Sequence, residues 1–306
     1  MIRNLKHMTV MVIAVGLSVC GLRSQTLPSL LLNQDPKALS LGMTGVASDA
    51  GAYAVQNNIA AVSHSDHTLD AQAGYGIWQP SYADFRIISA AATCHLGKFG
   101  FGLDVKKLNM LEYSGISGSG ADIRDSEFQP NEFNVAAGAS YAVLEGLSAG
   151  LTLRYIGSRL AEDASAGIFG TDFSVYFKKN GIRAGLSVNN IGTEVKYSDT
   201  SYPQPMMAKV GAGYDLHLGN SSLAFSTETD VMFAGGVMAG LGCEYSFKEM
   251  IYARAGYHYG NSVNVIPSFA SLGIGLKLFG AQLNVAALFG SAVLSDSMNI
   301  SAGYTF

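Results

Sequence analysis

The stretch MNISAGYTF, from Met298 to Phe306, decides the fold class of this chain. Its apolar residues occupy every second position and small or polar residues stand between them, so a β-strand here has one apolar and one polar face. A flat strand of this kind with an unpaired edge invites aggregation, whereas a closed barrel pairs its last strand with its first. The stretch therefore predicts the closing strand of an outer-membrane β-barrel.

The composition of the chain favours the same class. Of its 306 residues, 48% are hydrophobic and only 14% are charged, with 36 glycines and a mean hydropathy of +0.22. After the first twenty residues, no stretch approaches the roughly 18 apolar residues that a spanning helix needs, and only helices and closed barrels satisfy their backbone inside lipid. A soluble β-sandwich of this length would normally need two domains and more surface charge. The net charge of −4 is too small to indicate a nucleic-acid partner.

Residues 1–25 have the pattern of a signal peptide. A positively charged start precedes the short apolar run from Met8 to Val19, and small or polar residues follow. Cys20 leaves lipidation open as an alternative to ordinary export. Cys94 and Cys243 remain after cleavage, and a lone pair on separate strands is neither a disulfide framework nor a metal site. We therefore predict an exported chain with no metal and no cofactor.

Residues 26–66 show no strand-like alternation. The segment is rich in Gly, Ala and Asn, and Gly42, Gly45, Asn57 and Asn58 suit a compact piece whose backbone packs closely. Such a block ahead of the first strand could fill the barrel lumen as a hatch. A periplasmic cap or a flexible tail is the open alternative, because irregular segments usually run over surfaces.

Residues 67–306 repeat the alternation of the closing strand, and we count about fourteen strands near the length that a tilted membrane strand requires. The connections also alternate in length. Leu96–Lys98 is a tight turn, for example, whereas Glu112–Asn131 is a long loop. Outer-membrane barrels combine short periplasmic turns with long outer loops. Two independent patterns thus predict an antiparallel barrel with both ends in the periplasm.

The charged residues of the strands should face the lumen, because a charge facing lipid costs roughly 2 to 4 kcal/mol at the middle of the bilayer. The expected polar lining consists of Asp104, Lys106, Arg154, Asp172, Arg183, Glu244, Arg254 and Lys277. Unpaired charge is penalised in a low-dielectric interior, so we expect the three arginines to pair with Asp104, Asp172 and Glu244. A binding path for an acidic group is the alternative.

Four segments carry a resemblance to a known family. They are LLLNQDPKALSLGMTGVASDA (Leu30–Ala50), NEFNVAAGASYAV (131–143), LSAGLTLRYIGSRL (147–160) and GLSVNNIGTEVKY (185–197). In their order and spacing they resemble the PorV/PorQ family of Bacteroidetes outer-membrane proteins, relatives of the FadL fatty-acid transporters, and most closely its PorV branch. The resemblance implies a 14-stranded barrel with an N-terminal hatch and a role in type IX secretion. Relatives carry Asn-Pro-Ala where this chain reads Asn58-Ile59-Ala60, and the outer loops are shorter here.

Two functions remain open at this point. The first is a protein-interaction component of type IX-like secretion or surface-protein attachment, with a secreted cargo protein or a secretion translocon as partner. The second is a FadL-like transporter of hydrophobic small molecules. Apolar residues at the hatch would favour the transporter, and a polar mouth would favour the interaction protein. No enzyme is expected, because His95, His217 and His258 fall on different strands with no motif that links them to a nucleophile.

The aromatic end of the closing strand, Tyr304 and Phe306, resembles the signal that the barrel-assembly machinery recognises. This machinery and outer-membrane lipid are therefore expected partners, and nucleic acid is not. The expected location is the outer membrane of a Gram-negative, Bacteroidetes-like bacterium.

Overall fold

The computed structural model describes residues 27–81, 83–117, 124–161, 164–197, 200–261, 265–290, 294 and 296–306, so the predicted signal peptide lies outside the described residues. Within them, fourteen antiparallel strands form one closed barrel. These are β1 (Leu69–Trp78), β2 (Phe85–Leu96), β3 (Phe99–Asn109), β6 (Asn131–Leu144), β7 (Leu147–Arg159), β8 (Ser165–Lys179), β9 (Ile182–Gly192), β12 (Met207–Leu218), β13 (Ser221–Met232), β14 (Val237–Phe247), β15 (Ile251–Gly260), β16 (Phe269–Leu278), β17 (Ala281–Phe289) and β18 (Met298–Thr305).

The predicted closing strand is confirmed. β18 pairs with β17 on one side and with β1 on the other, in a register that runs from Asp70 opposite Thr305 to Ile77 opposite Met298. The barrel therefore has no free edge among these strands.

Two small hairpins lie where the sequence predicted only loops. β4 (Tyr113–Ser117) pairs with β5 (Arg124–Phe128), and β10 (Val195–Tyr197) pairs with β11 (Thr200–Tyr202). Both stand at the same end of the barrel and neither joins the barrel sheet. The sequence does not predict these hairpins, because strands of three to five residues are too short to show a recognisable alternation.

The two faces of each strand differ as the alternation predicts. In β3, for example, Leu103 is 60% exposed on the outside, whereas its neighbour Asp104 is 2% exposed in the lumen. Large apolar side chains are exposed on the outer surface of almost every barrel strand. A lipid bilayer is the solvent that suits this surface.

The two ends of the barrel differ in their connections. At one end, which we call the short-turn end, adjacent strands are joined by tight turns such as Asn180-Gly181, where both residues have positive φ (52° and 78°) as a two-residue hairpin turn requires. The opposite end, the long-loop end, carries the longer connections and both small hairpins. The predicted alternation of turn and loop lengths is thus present around the barrel.

Residues 27–66 run inside the barrel from its long-loop half to the short-turn end, and we call them the plug. The plug contains two 3₁₀ segments, Pro28–Leu30 and Ile59–His64, and two short helices, α1 (Pro36–Ser40) and α2 (Ala54–Asn57). Asp35 caps α1, because its side chain accepts a hydrogen bond from the Lys37 N–H. No helix in the described part of the chain is long and apolar enough to cross a membrane.

The plug lies against a set of lumen-facing glycines that we call the glycine groove. A Cβ added at any of these positions would overlap the plug. The segment 40–47 lies on Gly185, Gly211, Gly240, Gly242, Gly256 and Gly273, and the segment 55–63 lies on Gly100, Gly102, Gly138 and Gly150. The absence of side chains allows the plug backbone to approach the wall directly, which explains many of the strand glycines.

Candidate functional site

The long-loop half of the lumen is filled by a group of apolar side chains that we call the outer apolar cluster. The side chains come from the strand ends, the loops and the plug, and all are at least 91% buried. The members are Leu32, Leu39, Met43, Trp78, Ile87, Leu108, Met207, Met232, Met238, Val265, Ile266, Phe269, Ala286, Leu288 and Leu294. Methionine and aromatic side chains in a protein lumen form an adaptable apolar surface. This composition suits contact with apolar molecules.

A second, smaller apolar cluster adjoins β7 and β8 at the same end. It consists of Leu27, Leu30, Ile156, Ile168, Val195 and Tyr197. Leu27 and Leu30 belong to the plug, so the first described residues of the plug are held by apolar contacts with the wall and with β10.

The short-turn half of the lumen is polar instead. A cavity of about 420 Å³ opens there between the plug and the wall. Charged side chains of both signs line it, among them Lys37, Asp49, Lys178, Arg254 and Lys277. The outer apolar cluster and the polar cavity therefore lie toward opposite ends of the lumen, and the plug contributes residues to both.

Two of the three lumen arginines pair with acidic residues of the expected set. Arg154 Nη2 lies 2.5 Å from Asp172 Oδ2, and Arg254 Nε lies 2.5 Å from Glu244 Oε2. In each pair the two residues lie on adjacent strands, β7 with β8 and β14 with β15. Buried charges of opposite sign on adjacent strands neutralise each other at this depth.

Arg183 pairs with none of the three acidic residues that were expected to neutralise the arginines. Arg183 Nη2 lies 2.7 Å from Asp215 of β12, and its Nη1 lies 3.4 Å from Asp49 of the plug. Asp104 is instead on β3, remote from β9 in the barrel order, and it accepts a hydrogen bond of 2.7 Å from the plug residue Gln56. β9 pairs with β12, which brings Asp215 within reach of Arg183. The same alternation that marked the other charges also places Asp215 on the lumen face.

Asp49 connects the plug to two cations of the wall. It lies 2.9 Å from Lys178 Nζ and also accepts a hydrogen bond from the Tyr176 hydroxyl. Partial burial works against the charged form, but Arg183, Lys37 and Lys178 outweigh it and lower the pKa of Asp49 to about 2. The carboxylate is therefore charged at neutral pH.

Of the remaining two lining residues, Lys106 contacts the plug and Lys277 contacts the residue that follows it. Lys106 Nζ donates a hydrogen bond of 3.3 Å to the carbonyl oxygen of Leu32, and Lys277 Nζ lies 3.0 Å from His67 Nε2. All eight expected lining residues are on the lumen face, but they form no single site. Asp104, Lys106, Arg154 and Asp172 belong to β3, β7 and β8, and the others lie on β9 and β14–β16.

Sequence reasoning missed a buried charge cluster on β12 and β13. Lys209 Nζ lies 3.1 Å from both Glu228 and Asp230. Glu228 Oε2 also accepts hydrogen bonds from the plug N–H groups of Gly45 and Val46, at 2.6 and 2.7 Å. Thr227 and Thr229, on either side of Glu228, face outward and make the alternation of β13 hard to recognise in the sequence. Glu132 was missed too, and its Oε2 accepts a 3.1 Å hydrogen bond from the Ser29 N–H.

The four residues expected in the hatch lie inside the barrel and hold the plug together. Gly42 has a positive φ of 71°, and a Cβ there would overlap carbonyl groups of β14 and β15. Gly45 has its Cα so close to Asn57 that an added Cβ would lie 2.6 Å from the Asn57 Oδ1. Asn58 donates to the carbonyl oxygens of Val46 and Val175 and caps the second 3₁₀ segment.

Tyr304 and Phe306 are on the outer surface, with ring centroids 4.4 Å apart. Both side chains are exposed, and the Phe306 backbone pairs with Thr68 and Leu69. Recognition of these aromatics by the assembly machinery stays a prediction. In the residues described, no group of three or more His, Cys, Asp or Glu side chains could hold a metal ion.

The whole fold is similar to solved outer-membrane transporters. The toluene transporter TodX of Pseudomonas putida matches with a TM-score of 0.64 and 13% identity, over 94% of this chain and 99% of that chain. The monoaromatic hydrocarbon channel CymD matches with a TM-score of 0.62 and 12% identity, over 90% of this chain and 98% of that one. A FadL homologue of Pseudomonas aeruginosa matches with a TM-score of 0.54 and 12% identity, over 90% and 99%. No family model and no curated protein matches the sequence.

At these identities the similarity shows the fold, which is a closed 14-stranded barrel like those of the FadL-like outer-membrane proteins. The predicted fold class is therefore confirmed. The finer resemblance to the PorV/PorQ family finds no counterpart in these comparisons. The short motifs that suggested it are low in information, and a shared barrel architecture places similar strands in the same order.

Proposed function

We propose that this protein is a channel for small hydrophobic molecules in the outer membrane of a Gram-negative bacterium. The observation that carries the proposal is the outer apolar cluster, which places methionine and aromatic side chains against the plug in the long-loop half of the lumen. Apolar residues at the hatch are the feature that, on the sequence alone, was expected to favour a transporter over an interaction protein.

The physical basis is the transfer of an apolar molecule between apolar surroundings. A small hydrocarbon that enters the long-loop end exchanges water for contacts with Trp78, Phe269 and the cluster methionines, which is favourable in proportion to the apolar area buried. Methionine side chains adapt to ligands of different shape. Movement past the plug then requires side-chain or plug rearrangement, because the cluster is packed.

The structural neighbours support the same proposal. TodX is a toluene transporter and CymD is a monoaromatic hydrocarbon channel. The alternative, an interaction component of type IX-like secretion in a Bacteroidetes-like bacterium, rests on the resemblance of short sequence motifs and on the polar sequence of the outer loop 114–131.

Uptake measurements test the proposal. Cells that produce the barrel in a Gram-negative host should take up radiolabelled toluene faster than cells with an empty vector. Met238→Gln keeps the length of a buried cluster side chain but makes it polar, so it should lower uptake severalfold. Met250→Gln, in an exposed turn at the opposite end, is the matched control. Heat-modifiable migration in gels should show that all three barrels are folded.

Uptake that equals the empty vector, from a folded barrel, would contradict the proposal. Recovery of the native barrel with a secretion translocon or a secreted cargo protein in stoichiometric amounts would favour the interaction protein instead.

A further inference from the structure

We infer that the lumen contains a head-group site, formed by Lys106, Glu132 and Asn134 of the wall and Ser29 of the plug, for the polar end of an otherwise apolar ligand. The inference rests on the proposed function and narrows its substrate class to neutral amphiphiles, such as long-chain primary alcohols. It begins from polar atoms that the protein buries without pairing.

The wall residues are neighbours by strand register. Lys106 of β3 and Asn134 of β6 are directly opposite each other. Glu132 precedes Asn134 by two residues, so it lies on the same lumen face of β6. Directly opposed residues in an antiparallel pair have Cβ atoms roughly 5 Å apart. Ser29 reaches this group from the plug, since its N–H donates to Glu132 Oε2. All four side chains are at least 96% buried.

Several polar atoms of this group have no partner among the described residues. They are Asn134 Nδ2 and Oδ1 and Glu132 Oε1, and the Ser29 hydroxyl makes only a weak contact with the Glu132 carboxyl. Lys106 Nζ makes one hydrogen bond, to the carbonyl oxygen of Leu32, and no described carboxylate lies within 4.0 Å of it. Buried polar groups in proteins are nearly always paired, and clustered exceptions call for an explanation. Because unpaired hydrogen-bond donors and acceptors lie side by side here, they suit a ligand group that can both donate and accept a hydrogen bond.

The group lies between the two apolar clusters. Leu108, opposite Glu132, belongs to the outer apolar cluster, and so does Leu32, whose carbonyl oxygen Lys106 contacts. Ile156, opposite Asn134 on its other side, belongs to the second apolar cluster. A ligand with its polar end at Asn134 could therefore place its hydrocarbon chain in apolar surroundings on either side.

The charges of the group favour a neutral head. Lys106 and Glu132 are an acid–base pair that together add no net charge to the group, and the nearby Arg154 is already paired with Asp172. A carboxylate or ammonium head would therefore add an uncompensated charge to a buried group, which is costly. A hydroxyl head brings one donor and one acceptor and no charge.

Binding to the full-length barrel in nanodiscs tests the inference. The probes are decane, 1-decanol, decanoate and decylamine, which differ only at one end. Trp78 is the single tryptophan of the chain and is a buried member of the outer apolar cluster, so its fluorescence reports on ligand in the lumen. We expect 1-decanol to bind at least about tenfold more tightly than any of the other three.

Two variants assign the preference to this group. Asn134→Leu should lower the affinity for 1-decanol about tenfold and leave that for decane unchanged. Asn189→Leu is the matched control, because Asn189 is also a buried lumen-facing amide but accepts a hydrogen bond from Ser187. Glu132→Gln replaces the acidic partner of Lys106 by a neutral amide of similar shape and should selectively raise the affinity for decanoate.

The possible failures are distinct. Equal affinity for decane and 1-decanol, with no effect of Asn134→Leu or Glu132→Gln, would overturn the head-group site and leave the proposed channel intact. Tightest binding of decanoate or decylamine by the native barrel would overturn the neutral head. Absence of a fluorescence response to both decane and 1-decanol would count against the proposed channel as well.

Discussion

The plug is attached to the barrel in two different ways. Its inner part, residues 40–63, lies with its backbone in the glycine groove, and its polar groups are paired with Glu228 and with one another. Its outer part, residues 27–32, lies on side chains and donates a hydrogen bond to Glu132, and both Glu132 and its neighbour Asn134 keep unpartnered atoms. The inner plug is therefore packed as tightly as the wall itself, whereas the polar groups beside the outer plug are free to bind a ligand.

The difference follows from what the wall presents to each part. A glycine lets a carbonyl or N–H of the plug come into direct contact with the sheet, and the match leaves no room for anything else. Side chains give a looser and more adaptable contact. The contrast predicts that changes to the inner plug affect folding and that changes beside the outer plug affect binding.

The largest effect should come from filling the glycine groove. A side chain at Gly185 would overlap the backbone of Val46 and Ala47, so Gly185→Val should abolish the heat-modifiable, folded barrel. Valine is otherwise a favourable strand residue, so the loss would come from the clash with the plug. Gly157→Val is the control, because only the Tyr155 ring, at 3.9 Å, lies near an added Cβ. Normal assembly of the Gly185 variant would show that the plug does not occupy the groove.

The next effect should come from the charge cluster that holds the plug. Glu228→Ala removes two hydrogen bonds to the plug and leaves Lys209 with one acidic partner. Removal of one member of a buried ion pair typically costs about 3 to 5 kcal/mol in the free energy of unfolding. Denaturant titration should show a loss of this size, and planar-bilayer recordings should show raised conductance as the plug loosens. Glu145→Ala, in an exposed turn, should change neither.

The barrel itself could be predicted from the sequence, because face alternation and turn length are local properties. A period of two is visible within one strand, and turns such as Asn180-Gly181 carry their own signal. The expected lumen charges could be found for the same reason. The count of fourteen strands needed no knowledge of which residues touch.

The contacts between plug and wall could not be predicted, since they join residues far apart in sequence. Gly185 and Val46 are in contact only because the plug crosses the lumen beside Gly185. The sequence around either residue contains no signal of that contact. The partner of Arg183 could not be predicted for the same reason, because it depends on which strands and plug residues are neighbours in the folded barrel. The outer apolar cluster was missed because its members are single side chains at the ends of many strands.

A smaller effect is expected where the inner plug meets solvent at the polar cavity. The lowered pKa of Asp49, about 2 against an ordinary value of 3.8, means that its contribution is complete above about pH 4 and disappears as the pH falls toward 2. Asp49→Asn should therefore lower the free energy of unfolding near pH 7 by about 0.5 to 1 kcal/mol, because the side chain is partly exposed and solvent screens the pair. The gap between the native barrel and the variant should close between pH 4 and pH 2. A gap that persists at pH 2 would assign the effect to packing.

The smallest effect should have the opposite sign. Asn134 lies two residues from the plug contact at Glu132, and both of its side-chain polar atoms are unpartnered. Asn134→Leu therefore removes a desolvation cost and should leave the free energy of unfolding unchanged or raise it by up to about 1 kcal/mol. Asn58→Leu in the inner plug is the matched comparison, because that amide makes hydrogen bonds to Val46, Val175 and Ala60, and its loss should cost about 2 to 4 kcal/mol. Denaturant titration of the two variants in the same detergent measures both. If Asn134→Leu destabilised the barrel as much as Asn58→Leu, Asn134 would be a paired structural residue and the two parts of the plug would not differ. A gain in stability with a loss of 1-decanol binding would instead mean that the barrel keeps this amide for its ligand.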